Sequence, residues 1–400
     1  MKFGIIKERK NPPDRRVIFS PNELTLLKQK YQQVSVKVET SDIRIFEDAQ
    51  YINLGIDVVD DVSDCDILFG VKEVPIENLI ANKSYFFFSH TIKKQPYNRN
   101  LLKAVLEKNI DLYDYETIVD AENRRLIGFG RYAGIVGAYN GIRAFGIKFE
   151  LFKLPKAETL AGKEALISHL KRIVLPPLKF VITGTGKVGN GAKEVLDAIK
   201  IKEVSVENYL TKNYTQAVYT QIDVLEYNKR KDGQVLDFTD FYQNPKEYDS
   251  DFEKFTKVTD IYITGHFYGN DAPVILTREM LKANDCKIKV VADVSCDVNG
   301  PIACTLRSST IAEPLYGYLP EENIEVDVFH PAAIVVMAVD NLPCELPKDA
   351  SEGFGEMFLE HVIPAFFNDD KDGILNRAKI TEKGKLTERF SYLQDYVDGK

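Results

Sequence analysis

A lysine and a histidine that each follow a short apolar run are the residues of this sequence best suited to acid–base chemistry. Lys72 comes after the run from Cys65 to Gly70, and His90 comes after the run from Tyr85 to Phe88. Both runs have the length and composition of buried strands in a parallel sheet. Because the carboxyl ends of parallel strands share one edge, Lys72 and His90 are expected at one ligand crevice, where a titratable pair transfers protons. The alternative is a solvated loop lysine and a hydrogen-bonded loop histidine.

The segments around this pair alternate strands and helices in the manner of an α/β protein. Strand patterns at 3–6, 34–38, 65–71, 84–89 and 111–115 alternate with helical patterns at 21–31, 44–54 and 98–108. This order predicts a parallel sheet with helices on both faces. A helix rich in glycine and alanine follows from about residue 130, and its small residues allow close approach to a neighbouring helix or to a ligand.

A glycine-rich turn marks a second unit. The strand pattern at 178–183 is followed by Gly184-Thr185-Gly186-Lys187-Val188-Gly189 and then by a helical pattern. Gly184 is expected to form the tight turn, Gly186 to let the backbone approach a pyrophosphate, and Gly189 to let the helix pack on the strand. The helix N-terminus would supply N–H groups to the anion. The sequence therefore predicts a dinucleotide site, with a plain strand-to-helix turn as the alternative.

Glu207 is the residue expected to receive the ribose of the dinucleotide. It follows a strand pattern at 202–206, at about the usual spacing from the glycine-rich turn. The alternative is a solvent-facing cap. The choice between NAD and NADP therefore stays open, with NAD favoured.

Two domains are expected, because 400 residues exceed what one ordinary core supports. Residues 1–135 with 335–400 are expected to form a substrate domain, and 136–334 a dinucleotide-binding domain with a solvated insertion near 210–258. The predicted fold class is α/β: two doubly wound, Rossmann-like parallel-sheet domains with a cleft between them, and C-terminal helices that return to the first domain.

Composition excludes several other classes of protein. The net charge of −8 with both signs interspersed argues against a nucleic-acid surface. The sequence contains no run of about 18 apolar residues, so no membrane span is expected. The first residues lack a signal-peptide core. The five cysteines and five histidines lack metal-ligand spacing, so no metal is expected. We expect a cytoplasmic monomer or small homo-oligomer whose partner is a small-molecule substrate.

The chain resembles the lysine-forming saccharopine dehydrogenases, especially the lysine–2-oxoglutarate reductase half of the bifunctional animal and plant enzymes. More distantly, it resembles alanine dehydrogenase and the related transhydrogenase domain. The stretches that carry the resemblance are Val71 to Pro75, Phe87 to Lys93, Asp114 to Glu116, Phe129 to Gly134, Gly184 to Gly191, Ala292 to Asp297 and Val339 to Pro347.

This resemblance implies that lysine and 2-oxoglutarate condense reductively through an imine, with NAD or NADP as the cofactor. It implies Lys72 as the base toward the amine, His90 as the acid–base group for the carbinolamine, and Glu116 as a carboxylate that tunes the lysine. It assigns substrate contacts to Arg16, Gln95, Phe129, Arg131, Asp293 and Val294. It assigns dinucleotide contacts to Arg124, Gly186, Lys187, Phe267, Val339, Asp340, Asn341 and Leu342.

Two alternative functions follow from the same residues. One is an alanine dehydrogenase, or another amino-acid or opine dehydrogenase. The other is a non-catalytic dinucleotide-binding regulator, which would need neither Lys72 nor His90. Saccharopine carries three carboxylates, which guanidinium and ammonium groups bind well. The basic residues Arg15, Arg16, Lys93, Lys94 and Arg131 therefore favour the saccharopine reaction.

Overall fold

The computed structural model describes every residue of the chain except Phe267 and Asn270. Two compact units are present: residues 1–129 with 347–400 form the first, and residues 130–346 form the second. The first boundary, at 129/130, lies six residues before the expected one at 135/136, because the whole glycine-rich helix, from Gly130 onward, packs within the second unit. The second boundary, at 346/347, lies twelve residues after the expected one at 334/335.

The first unit is built on a six-stranded parallel sheet. Its strands are β1 (Lys2–Ile5), β2 (Ser35–Glu39), β3 (Asp57–Val59), β4 (Ile67–Phe69), β5 (Ser84–Phe87) and β6 (Asp111–Asp114), and its helices are α1 (Pro21–Lys30), α2 (Asp48–Ile52) and α3 (Arg99–Glu107). The sheet order is β3-β2-β1-β4-β5-β6, so the direction of winding reverses between β1 and β4. In doubly wound sheets, ligands bind at the carboxyl ends of the strands that flank such a reversal.

The second unit has a larger sheet with the order β15-β14-β16-β13-β12-β7-β9-β8. Its strands are β7 (Lys179–Thr183), β8 (Lys202–Glu203), β9 (Val218–Ile222), β12 (Ile261–Thr264), β13 (Val290–Ala292), β14 (Leu315–Leu319), β15 (Ile324–Val326) and β16 (Ile334–Met337). A separate antiparallel pair consists of β10 (Asn228–Arg230) and β11 (Tyr248–Ser250). Its helices are α4 (Gly130–Lys148), α5 (Lys163–Leu170), α6 (Lys187–Ala198), α7 (Val206–Thr211), α8 (Phe238–Gln243), α9 (Glu253–Thr256) and α10 (Arg278–Lys282). Strand β14 is antiparallel to both of its neighbours, β15 and β16, and all other neighbouring strands of this sheet are parallel.

The structure does not contain the solvated insertion that the sequence predicts near 210–258. The first part of this segment contains β9, which pairs with both β7 and β8 in the main sheet. The pair β10–β11 and helices α8 and α9 make up the rest of the segment. The segment buries Phe241, Tyr248, Phe252 and Phe255 in the core of the unit. Because these aromatic side chains pack in the core, the segment is an integral part of the second unit.

The glycine-rich helix α4 packs directly on α6. A Cβ atom at Gly134 would lie 1.9 Å from the carbonyl oxygen of Val188, and one at Gly191 would lie 2.0 Å from that of Arg131. The two helix backbones are therefore too close for any side chain at these positions. Gly134 of α4 thus allows close contact with a neighbouring helix.

The C-terminal segment returns to the first unit, as predicted. It contains α11 (Pro347–His361), α12 (Ile374–Ala378), the short pair β17 (Thr381–Glu382) and β18 (Lys385–Leu386), and α13 (Gln394–Asp398). Phe358 of α11 packs edge-on against Phe69 and Phe86, at centroid distances of 5.7 and 6.1 Å. The predicted fold class, α/β with two Rossmann-like, mainly parallel sheets, is confirmed. Among the described residues, no helix is long and apolar enough to cross a membrane.

Candidate active site

The carboxyl edge of the first sheet carries the three residues expected to do acid–base chemistry. Lys72 follows β4, His90 follows β5, and Glu116 follows β6. These strands are adjacent and parallel, so their ends lie side by side. Lys72 and His90 are both half-buried. The structure therefore places the pair on one sheet edge, beside the reversal between β1 and β4.

His90 has a carboxylate partner that the sequence analysis did not single out. Its Nδ1 atom lies 2.7 Å from Oε1 of Glu73, and Oε2 of Glu73 receives the Lys10 ammonium at 2.7 Å. Burial opposes ionisation of Glu73, but the hydrogen bonds from His90 and Lys10 lower its pKa to about 2. An anionic Glu73 accepts a hydrogen bond from Nδ1–H, which leaves Nε2 as the nitrogen of His90 that is available for proton exchange.

A buried network fixes the backbone at His90, which has the left-handed conformation with φ 52° and ψ 14°. The carboxylate of Asp114 accepts hydrogen bonds from the N–H of Ser89 at 2.9 Å and from the Ser89 hydroxyl. It also accepts the N–H of Glu116 at 2.7 Å. Burial raises the pKa of Asp114. Asp114 thus joins the ends of β5 and β6 and holds the turn that presents His90.

Two further acids surround Lys72. Glu8, which follows β1, accepts the N–H groups of Val71 at 2.6 Å and Lys72 at 2.9 Å. Burial raises the pKa of Glu8 to about 7 despite these hydrogen bonds. Burial also works against ionisation of Asp14, but Arg16 and, more weakly, Lys72 hold its pKa at about 2. The sequence signal for Glu8 was its place after the first strand, next to the reversal point.

Arg16, expected to bind a substrate carboxylate, is nearly fully buried and has an internal partner. Its Nε and Nη2 atoms donate to the two carboxylate oxygens of Asp14 at 3.0 and 2.6 Å. Its guanidinium lies over the ring of Phe129 at 4.2 Å, and Phe129 stacks on Phe354 at 4.6 Å. The edge of the guanidinium formed by Nε and Nη2 is therefore occupied by Asp14. The short spacing of Asp14 and Arg16 could have indicated the pair.

Glu116 and Gln95 are held by neighbours within the first unit. Oε1 of Glu116 lies 3.3 Å from the Lys93 ammonium and 3.1 Å from Nη2 of Arg125, and its buried Oε2 has no partner among the described residues. The carbonyl of Gln95 accepts the hydroxyl of Tyr396 from α13 at 2.5 Å. The C-terminal helix thus supports the loop that follows His90.

The glycine-rich turn of the second unit has the geometry that a dinucleotide site requires. Gly184 has φ +88°, and a Cβ atom there would lie 2.4 Å from the carbonyl oxygen of Gly265. A Cβ atom at Gly189 would lie 1.9 Å from the Gly184 oxygen, whereas Gly186 faces open space. Helix α6 begins directly after Gly186 without a side-chain cap. A helix N-terminus without a side-chain cap, at an exposed backbone, fits a pyrophosphate.

The acid beside this turn is Asp223 rather than Glu207. Glu207 lies in the first turn of α7, beyond the edge strand β8, and is exposed. Between β7 and β8 in the sheet lies β9, whose last residue Ile222 accepts the N–H of Gly184 at 2.7 Å. Asp223 follows at once. The spacing rule chose Glu207 because an extra edge strand and helix come before β9 in the chain.

His266, which follows β12, also borders the glycine-rich turn. Its Nδ1 lies 2.7 Å from the hydroxyl of Thr183, while its Nε2 is buried without a partner among the described residues. Burial lowers the pKa of His266 to about 4. A Cβ atom at Gly184 would lie 2.7 Å from the His266 Cα. The expected cofactor residue Phe267 lies outside the described residues.

Two expected substrate residues of the second unit have structural partners. Arg131 forms a bidentate ion pair with Glu194 of α6 at 2.8 and 2.9 Å, which ties α4 to α6. Asp293 is completely buried and accepts the hydroxyls of Thr264, Ser295 and Thr305 at 2.9, 2.6 and 2.5 Å. These contacts give both residues a role in the packing of the unit.

The remaining expected contact residues are scattered over both units. Arg124 is an exposed residue of the first unit and pairs with Asp120 at 2.7 Å and Glu122 at 3.2 Å. Val294 packs against α4, where a Cβ atom at Gly137 would lie 2.4 Å from it. After β16, Val339 and Leu342 are buried, Asp340 is exposed and Asn341 is left-handed; Lys187 is exposed at the start of α6. Among the described residues, no group of three His, Cys, Asp or Glu side chains is arranged to hold a metal.

Two domain models of one family match successive parts of the chain. Residues 4–136 match the alanine dehydrogenase/PNT N-terminal domain, and residues 160–389 match its C-terminal domain. An alpha-aminoadipic semialdehyde synthase of Arabidopsis thaliana is 28% identical over 98% of this chain and 41% of its own length. The mitochondrial protein of that name from Mus musculus is 28% identical, over 98% and 47%. The chain thus spans less than half the length of these relatives.

A shorter relative matches nearly end to end. The saccharopine dehydrogenase [NAD(+), L-lysine-forming] of Schizosaccharomyces pombe is 25% identical over 94% of this chain and 95% of its own. Among solved structures, an L-alanine dehydrogenase shares the fold with a TM-score of 0.65 and 19% identity, over 100% of this chain and 99% of the other. With both domains of the model matched in order, this chain belongs to the alanine dehydrogenase/PNT family of oxidoreductases.

Proposed function

We propose that this chain interconverts saccharopine with L-lysine and 2-oxoglutarate through an imine, with a nicotinamide dinucleotide as the redox partner. The observation that carries the proposal is the acid–base group of Lys72, His90 and Glu73 at one edge of the first sheet. The end-to-end match with the S. pombe protein, whose name specifies the lysine-forming reaction, supports this choice of substrates.

The chemistry requires proton transfer at two different atoms. In the condensing direction, the ε-amine of lysine adds to the keto carbon of 2-oxoglutarate, and the carbinolamine then loses water to give the imine. Reduction of the imine carbon leaves a secondary amine, whose nitrogen gains a proton. One group serves both oxygen and nitrogen poorly at a single pH. We therefore assign the nitrogen to Lys72 and the oxygen to His90.

The geometry at His90 suits its assigned role. Glu73 is anionic and accepts a hydrogen bond from the Nδ1–H group. Nε2 therefore gives a proton to the departing hydroxyl or takes one from the attacking water. The carboxylate also stabilises the imidazolium that forms when Nε2 is protonated. Asp114 keeps the left-handed turn in place, which fixes the direction of the ring.

The second unit would hold the cofactor. Gly184, Gly186 and the start of α6 would bind the pyrophosphate through backbone N–H groups. When bound, the dinucleotide supplies the hydride for the imine carbon. We propose NAD(H) as its form, because an acidic residue, Asp223, follows the strand beside the glycine-rich turn.

A steady-state assay tests the function. Purified protein is given NADH or NADPH with lysine plus 2-oxoglutarate, or with pyruvate plus ammonia, and oxidation of the nicotinamide is followed by absorbance. The proposal predicts turnover with lysine plus 2-oxoglutarate, and a product that carries the mass of saccharopine. Turnover only with pyruvate and ammonia would instead assign the alanine dehydrogenase reaction that the family description names.

A further inference from the structure

The side chain of Glu8 crosses the point at which the winding of the first sheet reverses. Glu8 lies shortly after β1, and its Oε1 and Oε2 atoms accept the N–H groups of Val71 at 2.6 Å and Lys72 at 2.9 Å. Strands β1 and β4 are adjacent and parallel, so the carboxylate joins the end of one strand to the turn after its neighbour. Glu8 is thus bonded to the backbone of the turn that carries Lys72.

The two strand ends are packed closely at this junction. The N–H of Ile6 donates to the carbonyl of Phe69 at 3.0 Å. A Cβ atom at Gly70 would lie 2.9 Å from Cδ1 of Ile6 and 3.5 Å from Oε1 of Glu8. The contact between the strands therefore continues past β1, and the Glu8 carboxylate extends it as far as Lys72.

Both oxygens of Glu8 act as acceptors, and they do so at full strength only in the ionised state. A protonated carboxyl group has one oxygen that donates, and that oxygen is a poor acceptor for a further N–H group. Hydrogen bonds to a charged acceptor are also the stronger ones. Burial raises the pKa of Glu8 to about 7, although the hydrogen bonds from Val71 and Lys72 oppose this shift. The strength of the contact therefore changes close to neutral pH.

The titratable groups that face Glu8 keep one charge state near that pH. In the loop after β1, the Asp14 charge raises the pKa of Glu8 and the Arg16 charge lowers it. Asp14 is itself ionised, since Arg16 and, more weakly, Lys72 hold its pKa at about 2 against the effect of burial. After β6, burial and the charge of Glu8 raise the pKa of Tyr115, so the phenol stays neutral. Of these three acids, only Glu8 changes its charge near pH 7.

We infer that Glu8 is a positioning residue for Lys72: through two backbone N–H groups it fixes the turn from which the lysine side chain extends. Only the ionised carboxylate holds this turn fully, so the position of Lys72 depends on pH near neutrality. Asp114 holds the turn of His90 in a similar way. The effect of Glu8 on turnover rests on the proposed function of Lys72, whereas the effect on the backbone does not.

The amide proton of Lys72 reports the contact directly and without turnover. The intact chain is labelled with [15N]lysine, and the Lys72 amide signal is assigned by its absence from Lys72→Met. Because this N–H donates to the carboxylate, its proton resonance should move downfield as Glu8 loses its proton, with a midpoint at about pH 7. In Glu8→Gln the transition with this midpoint should be absent.

Kinetics measure what the contact contributes to turnover. Glu8→Gln should lower kcat for lysine plus 2-oxoglutarate by about tenfold or more at about pH 8, since charge-assisted hydrogen bonds to the Lys72 turn are lost. The difference between the native chain and Glu8→Gln should narrow toward about pH 6, because the native carboxylate is then protonated too. The affinity for NADH, measured by fluorescence titration, should be unchanged.

A matched variant separates this effect from a general loss of negative charge. Glu77 is an exposed acid on the same connection between β4 and β5. Glu77→Gln should therefore change neither the titration of the Lys72 amide nor kcat. Thermal melts check the fold of each variant. The titration of the native chain needs no substitution at Glu8, so it tests the contact even if Glu8→Gln is unstable.

Two results would overturn the inference and leave the proposed function standing. One is a Lys72 amide signal that stays constant in the native chain between about pH 6 and about pH 8. The other is a folded Glu8→Gln variant with native kcat throughout this range. A native chain without saccharopine turnover would instead overturn the proposed function, and with it the effect of Glu8 on catalysis, whatever the amide signal shows.

Discussion

The Nδ1 atom of His90 lies 2.7 Å from Oε1 of Glu73, the residue next to Lys72 in the chain. This contact joins the ends of β4 and β5, which carry the two proposed proton-transfer groups. It also fixes which nitrogen of the imidazole exchanges protons. The carboxylate partner of the histidine is therefore the neighbour of the lysine, and Glu116 instead contacts Lys93 and Arg125.

His90→Gln should lower kcat for saccharopine turnover by about 10²–10⁴-fold, because general acid–base catalysis contributes that much. Glu73→Gln keeps a hydrogen-bond acceptor at Nδ1 but removes the charge, so its loss of kcat should be smaller. The affinity for NADH, measured by fluorescence titration, should be unchanged in both variants. A fully active His90→Gln would exclude the assigned role.

Lys72→Met removes the amine while it keeps a similar length, and should lower kcat by about 10²–10⁴-fold. If Lys72 and His90 act as one proton-transfer unit, the double variant should lose less activity than the product of the two single losses. Turnover of the four proteins under identical conditions measures this. Strictly multiplicative losses would show that the two groups act independently.

Arg16→Met should destabilise the protein by about 3–5 kcal/mol, because it removes the buried guanidinium that is bonded to the buried carboxylate of Asp14. Urea unfolding followed by circular dichroism gives this value. Arg124→Met, which removes an exposed arginine of the same unit, should change stability little. If Arg16→Met instead unfolds like the native protein and only the KM for 2-oxoglutarate rises, Arg16 is a substrate residue as the sequence predicted.

Gly186→Ala should weaken NADH binding by about tenfold or more without loss of stability. A Cβ atom at Gly186 meets no protein atom within 4 Å, and its φ of −83° suits alanine, but the methyl group would occupy space that the pyrophosphate needs. Gly134→Ala is the comparison, since its Cβ would lie 1.9 Å from a carbonyl oxygen and should lower the melting temperature. An unchanged affinity of Gly186→Ala for NADH would show that the glycine-rich turn is not part of the binding site.

Stability should fall as the pH rises from about 5 to 8, partly through Glu23 of α1. Burial raises the pKa of Glu23 to about 8 from its ordinary value of 4.5, so the folded protein binds this proton more tightly than the unfolded chain. Its contribution is therefore complete below about pH 4.5 and is lost as the pH passes 8. Glu23→Gln should flatten this decline by on the order of 1–3 kcal/mol in urea unfolding at pH 5 and 8. An equal decline in both proteins would contradict the shift.

The sequence by itself determined the α/β architecture, the glycine-rich turn and the position of Lys72 and His90 at strand ends. These features depend on local periodicity and on the residues directly before and after a strand, so they can be predicted from the sequence. Gly184 and Gly189 have in the structure the tight turn and the close packing that their spacing predicted, because each is constrained by backbone geometry within a few residues. The approach of a pyrophosphate at Gly186 stays a prediction.

Only the tertiary structure decided which side chains pair. Asp14 takes the guanidinium edge of Arg16, Glu73 takes His90, and Asp223 replaces Glu207 beside the turn. The pairing of Glu73 with His90 depends on the three-dimensional distance between the two groups, which a sequence with several similar acids does not specify. Asp14 and Arg16 are close in the chain, but only the fold buries both of them. The last depends on strand order: β9 follows β8 in the chain but lies between β8 and β7 in the sheet, so spacing along the chain pointed to the wrong strand.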